Sequence, residues 1–228
     1  MKGTVCVVTG ASGHVGQAVT SGLVQAGATV FGVLSSRHQQ EAPSGNGWIP
    51  VMADVTEAGS VRALFDTAER QAGAVHVVVH TVGGFASSGP VPQSSVSDWD
   101  RMMSVNLRSA FLITREALRR LEGASYGRII LFGAMSGIDI PSGRVAYGIS
   151  KAGVHLLAQT AARENRGSGV TINVIAPGII DTPDNRESMP DADRTNWITP
   201  KQIVNTIFGL CDKNNNSSGT IIQMTGGT

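Results

Sequence analysis

The 228-residue sequence predicts an α/β fold, a doubly wound parallel sheet of about seven strands with helices on both faces. Short β-branched segments alternate with helical segments, and such alternation is typical of a parallel sheet with right-handed crossovers. Several of the strand segments are apolar at consecutive positions, as expected for strands covered on both faces. No linker or internal repeat divides the chain, so we expect a single domain over residues 1–228.

The predicted elements follow one another in regular order. We predict strands at residues 4–8, 28–34, 48–52, 75–80, 128–132, 170–176 and 220–224. We predict helices at residues 16–26, 59–72, 97–121, 147–165 and 199–211. The connection between the second and third strands, residues 35–47, contains Pro43 and is too short to hold more than a little helix.

Composition and charge narrow the classes of function. Hydrophobic residues make up 41% of the chain and the net charge is +1, so neither nucleic acid nor a membrane surface is expected as a partner. No apolar segment approaches the length of a membrane span, and the first strand begins too early to leave room for a signal peptide. Cys6 lies in an apolar strand far from Cys211, which favours reduced thiols and a cytoplasmic location.

A glycine-rich turn follows the first predicted strand, in TGASGHVG at residues 9–16. Gly10 permits the tight turn, Gly13 lets a pyrophosphate approach the backbone, and Gly16 lets the helix pack closely on the sheet. Glycines also serve strand–helix junctions that bind nothing, but the position at the carboxyl end of the first strand favours a dinucleotide site. The other predicted cofactor contacts in this turn are Ser12, His14 and Val15.

The residues after the second strand favour NADP over NAD. A site for NAD usually places Asp or Glu there, whereas an arginine suits the 2′-phosphate of NADP. Here Ser35, Ser36 and Arg37 follow the strand, and the first carboxylate comes only at Glu41. Two hydroxyls and a guanidinium match a phosphate better than a diol, so NADP is the preferred cofactor and NAD remains possible. The alternative for Arg37 is a solvated loop residue.

Tyr147 and Lys151 form a candidate acid–base pair. They lie four residues apart, so both project from one face of a predicted helix. A free phenol titrates near ~10, and a neighbouring ammonium stabilises the phenolate. We therefore expect Lys151 to lower the pKa of Tyr147 towards the range in which proton transfer is efficient. Without further context, the same spacing also fits an ordinary amphipathic face.

Together these motifs resemble those of the short-chain dehydrogenase/reductase family over nearly the whole chain. Further matches are Asp54 with Val55 in ADVT, Asn106 in MMSVNL, the segment INVIAPGIIDT, and SGTIIQMTGG near the C-terminus. The resemblance implies a Rossmann-type domain in which Tyr147 donates a proton, Lys151 holds the nicotinamide ribose and Asn106 holds a relay water. The other cofactor contacts that it implies are Asp54, Val55, Val82, Gly83, Pro177, Gly178, Ile180 and Thr182.

Some departures from the family pattern are similar to its dihydropteridine reductase branch. The serine expected thirteen residues before Tyr147 is Ala134, and a Val-Gly-Gly turn follows the fourth strand. Two other features differ from that branch: the branch lacks the asparagine found here as Asn106, and it carries an acidic residue after the second strand, where this sequence has none. Ser136 could replace the missing hydroxyl if the chain stays extended after Ala134; otherwise it is a loop residue in a turn.

The resemblance also implies a substrate lid at about residues 183–198. Met189 and Trp197 could contact a small-molecule substrate from this lid, and Phe85 could line the opposite wall; plain surface positions are the alternative. Helices 97–121 and 147–165 carry apolar residues on more than one face, which predicts a homodimer or homotetramer paired through them. The histidines show no spacing typical of a metal site, and we predict none.

The sequence thus predicts an NAD(P)H-dependent oxidoreductase that reduces a carbonyl or imine of a small molecule, with Tyr147 as proton donor. A dihydropteridine reductase proper is the first alternative. A non-catalytic dinucleotide-binding sensor or scaffold is the second, and Ala134 is the strongest argument for it. The physiological substrate and the direction and stereochemistry of hydride transfer do not follow from the sequence.

Overall fold

The computed structural model describes residues 1–35 and 47–226. Within these residues, seven parallel strands form one sheet in the order β3-β2-β1-β4-β5-β6-β7. The strands are β1 (Val5–Thr9), β2 (Thr29–Leu34), β3 (Trp48–Met52), β4 (Val77–His80), β5 (Gly127–Phe132), β6 (Val170–Pro177) and β7 (Ile221–Met224). The predicted doubly wound sheet is confirmed. The strand order reverses between β1 and β4, which opens a crevice at their carboxyl ends.

Seven α-helices accompany the sheet in the described part of the chain. They are α1 (His14–Gln25), α2 (Ala58–Ala72), α3 (Val96–Met102), α4 (Ser109–Arg120), α5 (Val145–Glu164), α6 (Pro183–Ser188) and α7 (Pro200–Cys211). The helix predicted at 97–121 is α3 and α4 joined by a π-helical segment, Met103–Arg108. Such segments occur often at functional sites, and this one carries Asn106. Helix α6 lies inside the predicted lid, where no helix is predicted from the sequence.

The sheet is covered by an apolar core on each face. Val7 and Phe31 pack with residues of α2, α4 and α5 on one side. Cys6, Val8 and Val30 pack with residues of α1 and α7 on the other. Neighbouring residues of a strand point to opposite faces, and here both faces are buried. This arrangement explains why the strands are apolar at consecutive positions.

Both cysteines are buried free thiols, so the core position predicted for Cys6 is confirmed. Burial raises the pKa of Cys6, and it raises the pKa of Cys211 to about 12. No helix among the described residues is both long and apolar enough to cross a bilayer. Across residues 1–35 and 47–226, no group of three or more His, Cys, Asp and Glu side chains is arranged to hold a metal ion. The cytoplasmic location stays a prediction.

The connection from β2 to β3 lies mostly outside the described residues. Ser36 and Arg37, the side chains predicted to meet a 2′-phosphate, fall there, as does the expectation of little helix. Ser35 follows β2 directly at the carboxyl edge of the sheet. The strand that leads to these residues therefore ends beside the crevice at which doubly wound folds bind ligands.

Candidate active site

The glycine turn lies at the carboxyl end of β1, and each of its three glycines is explained by a different cause. Gly10 has φ +71°, a conformation that favours glycine. A Cβ on Gly16 would overlap the carbonyl of Gly10, so α1 can approach β1 only if this residue is glycine. A Cβ on Gly13 would meet only Gly10 O, at 3.5 Å, which is an ordinary contact. Internal packing therefore does not explain Gly13, whereas close approach of a ligand does.

The N-terminus of α1 is open towards the same crevice. Gly13 is its N-cap and no side chain caps it, so the first N–H groups of the helix are available to a phosphate. Ser12 O accepts a hydrogen bond from Gln17 Nε2 at 2.9 Å, which holds the turn. His14 is half-exposed at the crevice, and Val15 packs into the core beneath it. These positions fit the predicted pyrophosphate site.

His80, buried at the end of β4, ties the ends of two strands to α4. Its Nδ1 lies 2.8 Å from Thr9 Oγ1 and its Nε2 lies 3.0 Å from Ser109 Oγ. Because the Ser109 hydroxyl donates to Val105 O at 2.6 Å, it accepts from Nε2–H, and this assigns the neutral Nε2-protonated tautomer. Burial, reinforced by the Lys151 ammonium, lowers the pKa of His80 to about 3.

This neutral histidine should make the fold sensitive to acid. Below a pH near the ordinary value of 6.5, the unfolded chain takes up a proton that folded His80, with a pKa of about 3, does not. We expect this residue alone to lower the free energy of unfolding by ~2 kcal/mol between about pH 7 and about pH 5. Urea unfolding at both pH values, in wild type and His80→Gln, measures it. An equal loss in both proteins would contradict the assignment.

Asn106 connects the turn after β4 to α5. Its Oδ1 accepts from Gly84 N at 2.8 Å, and its Nδ2 donates to Gly84 O at 3.1 Å and to Ser150 Oγ at 2.9 Å. Ser150 in turn donates to Tyr147 O at 2.7 Å. Both donors of the Asn106 amide are therefore used, and only Oδ1 retains acceptor capacity for the predicted relay water. The side chain fixes the Gly83-Gly84 turn relative to Tyr147.

Lys151 reaches from α5 to the end of β5. Its Nζ donates to Phe132 O at 2.9 Å, and burial lowers its pKa to about 8. A Cβ on Gly83 would lie 2.9 Å from this Nζ and 3.1 Å from Asn106 Oδ1, so Gly83 lies directly against both side chains. An ammonium has three N–H groups, which leaves two that can bind a cofactor hydroxyl.

Tyr147 is partly buried, and its electrostatics differ from the expectation. Burial raises its pKa above the ordinary value of 10.0, and Arg144 is the group that opposes this rise. The net shift is therefore opposite to the lowering predicted from Lys151, which is not among the groups that shift this pKa. The tyrosine ring meets Phe85 edge to face, with centroids 5.0 Å apart and planes at 73°. The Arg144 guanidinium lies 5.2 Å from the centroid of Phe85.

Arg144 is the residue of this site that the sequence analysis missed. It is the N-cap position of α5, three residues before Tyr147, and it forms no ion pair with any described carboxylate. An arginine in a loop before the tyrosine has no distinctive sequence signal. Only the approach of residue 85 to the start of α5 shows that this cation belongs to the site.

The chain bends directly after Ala134, which stands where the family pattern has a serine. β5 ends at Phe132, Ala134 is buried, and Met135–Gly137 form a 3-10 turn. The chain does not stay extended, so Ser136 does not share a face with Ala134 as a replacement hydroxyl would require. The glycine before Ala134 has a packing cause, since a Cβ on Gly133 would overlap the buried ring of His155. Desolvation lowers the pKa of His155 to about 4.

The predicted lid is tied to the end of β6. Thr182 caps α6 by accepting from Asn185 N at 3.3 Å, and Arg186 pairs with Asp181 at 2.5 and 2.7 Å. Across the crevice, His14 Nδ1 lies 3.5 Å from an Asp184 carboxylate oxygen. The lid and the glycine turn thus face each other over the predicted dinucleotide path.

The remaining predicted residues lie at the end of β6 and in the lid. Pro177 ends β6 and Gly178 follows it, while Ile180 bridges to Ile198 at the base of the lid. Trp197 is buried with Arg194 5.6 Å from its ring centroid, while Met189 is half-buried in the lid. Their contacts with substrate stay predictions.

The adenine end of the predicted site lies after β3. Asp54 is exposed, and the Thr56 hydroxyl and N–H both donate to its Oδ1, which lowers the pKa of this carboxyl. Its other carboxylate oxygen is available to an adenine amino group. Val55 is buried beside it, and Val82 lies half-buried after β4. Both fit walls of an adenosine site.

The chain is similar to known proteins over most of its length. Residues 4–193 match the family described as short chain dehydrogenase. A short-chain type dehydrogenase/reductase of Picea abies is 37% identical over 197 residues, which cover 80% of this chain and 72% of that protein. An NADPH-dependent aldehyde reductase-like protein of Arabidopsis thaliana, chloroplastic, is 34% identical over 200 residues, covering 80% and 74%.

A solved structure, ElxO with NADP bound, has the same fold. It superposes with a TM-score of 0.90 over 98% of this chain and 97% of that one, at 21% sequence identity. At this level of identity the likeness concerns the fold.

Proposed function

The chain belongs to the short-chain dehydrogenase family of NAD(P)-dependent oxidoreductases, and we propose that it reduces a carbonyl or imine of a small molecule with NADPH. Tyr147 is the proton donor in this proposal. The observation that carries it is the arrangement at the carboxyl edge of the sheet, where Lys151 and Asn106 lie against the Gly83-Gly84 turn and the Tyr147 ring packs on Phe85.

The residues present fit a nicotinamide dinucleotide. Gly13 leaves room at the uncapped N-terminus of α1, and Lys151 retains two N–H groups for a ribose. When bound, the reduced nicotinamide supplies the hydride. The protein's own contribution is to position the groups and to deliver the proton.

The raised pKa of Tyr147 keeps the phenol protonated at neutral pH, and it also makes the phenol a weaker acid, so stabilisation of the resulting charge matters more. A phenol that is more basic than usual stays protonated at neutral pH and can transfer its proton to an oxygen or nitrogen that becomes negative as hydride arrives. The resulting phenolate would lie near the Arg144 guanidinium. The Lys151 ammonium stays predominantly charged at neutral pH, because its pKa is about 8.

Arg144 can stabilise the negative charge that the missing serine would otherwise stabilise. Ala134 cannot donate a hydrogen bond to the reacting oxygen, and such a donor is typically worth ~2.7–4 kcal/mol when fully engaged. The Arg144 guanidinium brings a positive charge to the same aromatic pair, Phe85 and Tyr147, without a carboxylate to neutralise it. We assign it the stabilisation of negative charge on the substrate and on Tyr147.

Removing this charge should shift the pH dependence of reduction. Arg144→Gln is expected to lower kcat/KM about tenfold and to raise the pKa of Tyr147 further. Reduction requires protonated Tyr147, so activity is lost as pH rises through this pKa, and the alkaline limb of the profile should move to higher pH. Rates of NADPH oxidation across pH measure this. Arg62→Gln, which removes an exposed arginine of α2, is the control, and an unmoved alkaline limb in Arg144→Gln would refute the role.

The cofactor preference rests on Arg37 and the serines beside it. We expect wild type to favour NADPH over NADH, and Arg37→Ala to lower kcat/KM for NADPH about tenfold while leaving that for NADH unchanged. Paired titrations with both cofactors measure this. Equal use of NADPH and NADH by wild type, unmoved by the substitution, would defeat the assignment.

A substrate panel separates the candidate functions. Aldehydes, ketones, quinones and a quinonoid dihydropterin are tested with NADPH, and turnover of at least one carbonyl or imine is expected. Strong preference for the dihydropterin would identify a dihydropteridine reductase. Tight NADPH binding without turnover of any compound would favour the sensor alternative.

The proposed assembly is a homodimer or homotetramer paired through α4 and α5. Phe111 is 45% exposed on α4, and Leu156 is 64% exposed on α5. Ile149 adds a third exposed apolar side chain on α5. Large apolar side chains at such exposure on neighbouring long helices favour a covered face.

A further inference from the structure

A cavity of about 720 Å³ lies at the amino-terminal edge of the sheet, opposite the edge that carries Tyr147. It is bounded by the first residues of β5 and β6, the C-terminal turn of α5 and the connection from α7 to β7. Pockets of ~300–1,000 Å³ are typical of small-molecule sites. Arg128, Arg163, Arg166 and Lys213 line it, and none of the lining residues in the described part of the chain is Asp or Glu.

Arg128 places a buried positive charge beneath this cavity. Its guanidinium stacks 4.3 Å from the ring centroid of Tyr126, and only 3% of the residue is exposed. All five of its N–H groups can be accounted for by carbonyl oxygens, those of Gly127, Gly169, Leu210, Asp212 and Asn215. These carbonyls satisfy its hydrogen bonds but not its charge, and no described carboxylate pairs with it. A buried charge without a counter-ion favours an anion nearby.

The Asp212 carboxylate does not line the cavity and forms no ion pair with Arg128. Its Oδ1 accepts from Asn214 N at 2.7 Å, and it forms no ion pair within residues 1–35 and 47–226. Because the described lining carries four cations and no carboxylate, the cavity is electropositive along one wall.

Thr171 supplies a second, independent indication of a ligand. Thr171 is 8% exposed and lines the cavity. Its Oγ1 has no hydrogen-bond partner among the described residues. Buried hydroxyls are rarely left unpaired, because desolvating one without a partner costs ~1–3 kcal/mol. Ser218, on the facing connection, accepts from Ile172 N at 3.1 Å and keeps its own hydroxyl proton to donate. Two hydroxyls and several cations thus converge on one space.

The end of α5 explains only part of this charge. Arg163 and Arg166 would be favourable there in any case, since cations stabilise the C-terminus of a helix. Lys213 follows α7 and Arg128 lies in β5, so the helix accounts for neither. The cations come from three separate elements and share only the cavity.

We propose that this cavity binds a phosphorylated small molecule, with Arg163, Arg166 and Lys213 holding the phosphate and Thr171 donating to it. Arginine and lysine around an anionic oxygen group are typical of phosphate recognition, and the volume leaves room for an organic body. The site is separate from the proposed cofactor crevice and does not rest on the proposed function.

Calorimetric titration with inorganic pyrophosphate tests this, with saturating NADP⁺ present to occupy the crevice. We expect one site, weakened at least about tenfold in Arg163→Gln/Lys213→Gln and about fivefold in Thr171→Val, which keeps the side-chain shape. Arg62→Gln, which removes an exposed arginine of α2, is the control for loss of a surface charge and should bind as wild type does.

The outcomes that overturn the proposal are specific. Absence of binding at millimolar pyrophosphate does so, as does binding that the double variant and Thr171→Val leave unchanged. Equal weakening by Arg62→Gln would show a non-specific charge effect. If the double variant does not fold, Lys213→Gln and Thr171→Val decide the result. If NADP⁺ does not bind, the same titration without it tests this cavity independently of the crevice.

Discussion

Tyr147→Phe is expected to lower kcat for carbonyl or imine reduction by at least ~100-fold while leaving NADPH affinity close to that of wild type. The substitution removes one hydroxyl and keeps the ring that packs against Phe85 at 5.0 Å. The backbone carbonyl of residue 147 still accepts from Ser150, so the link to Asn106 stays in place. The loss should therefore appear in the proton-transfer step.

The chain contains one other tyrosine, and it provides a matched control. Tyr126 Oη donates to Cys211 O at 2.7 Å, at the opposite edge of the sheet. Tyr126→Phe should cost ~1 kcal/mol of stability and leave kcat unchanged. Steady-state rates and NADPH fluorescence titration of both variants measure the contrast. Wild-type turnover by Tyr147→Phe would remove this tyrosine from the mechanism.

Gly16→Ala and Gly13→Ala are expected to fail in different ways. At Gly16 the added Cβ would overlap the Gly10 carbonyl, which belongs to the backbone and cannot move away cheaply. We expect a loss of at least ~3 kcal/mol of stability, or no folded protein. At Gly13 the added Cβ meets one oxygen at 3.5 Å, so this variant should fold with nearly unchanged stability.

The difference between these two variants appears in the binding of the cofactor. Gly13→Ala places a methyl group where a pyrophosphate would approach the uncapped N-terminus of α1, so NADPH affinity should fall at least about tenfold. Thermal unfolding and NADPH titration separate the two effects. A Gly13→Ala protein with wild-type affinity, or a Gly16→Ala protein with wild-type stability, would contradict the division of roles among the glycines.

Much of the fold could be predicted because its signals are local. The apolar strands, the spacing of the glycine turn and the four-residue interval between Tyr147 and Lys151 all depend on residues close in the chain. The helix at 97–121 shows the limit of such signals. Its periodicity predicts one helix, but the structure contains a π-helical segment at Met103–Arg108, and this segment presents Asn106 to Gly84 and Ser150.

Electrostatics could not be predicted in the same way. The sequence spacing predicts that Lys151 lowers the pKa of Tyr147, yet burial raises it and Arg144 is the cation that opposes the rise. A pKa depends on the solvent that a side chain has lost and on charges from distant parts of the chain. The turn after Ala134 is likewise a tertiary feature: Met135–Gly137 form a 3-10 turn, so Ser136 does not share a face with Ala134.

The sequence by itself determined the sheet, the family, the glycine turn and the pair formed by Tyr147 and Lys151. Each of these is indicated by patterns of residues that lie close together in the chain. Only the tertiary structure decided that His80 is a neutral buried link, that Arg144 lies against Phe85 beside Tyr147, and that the cavity at the far edge is lined by cations. These features join residues separated by tens of positions, and burial sets their charges. No periodicity or motif records such contacts, because they exist only once the strands and helices have packed together.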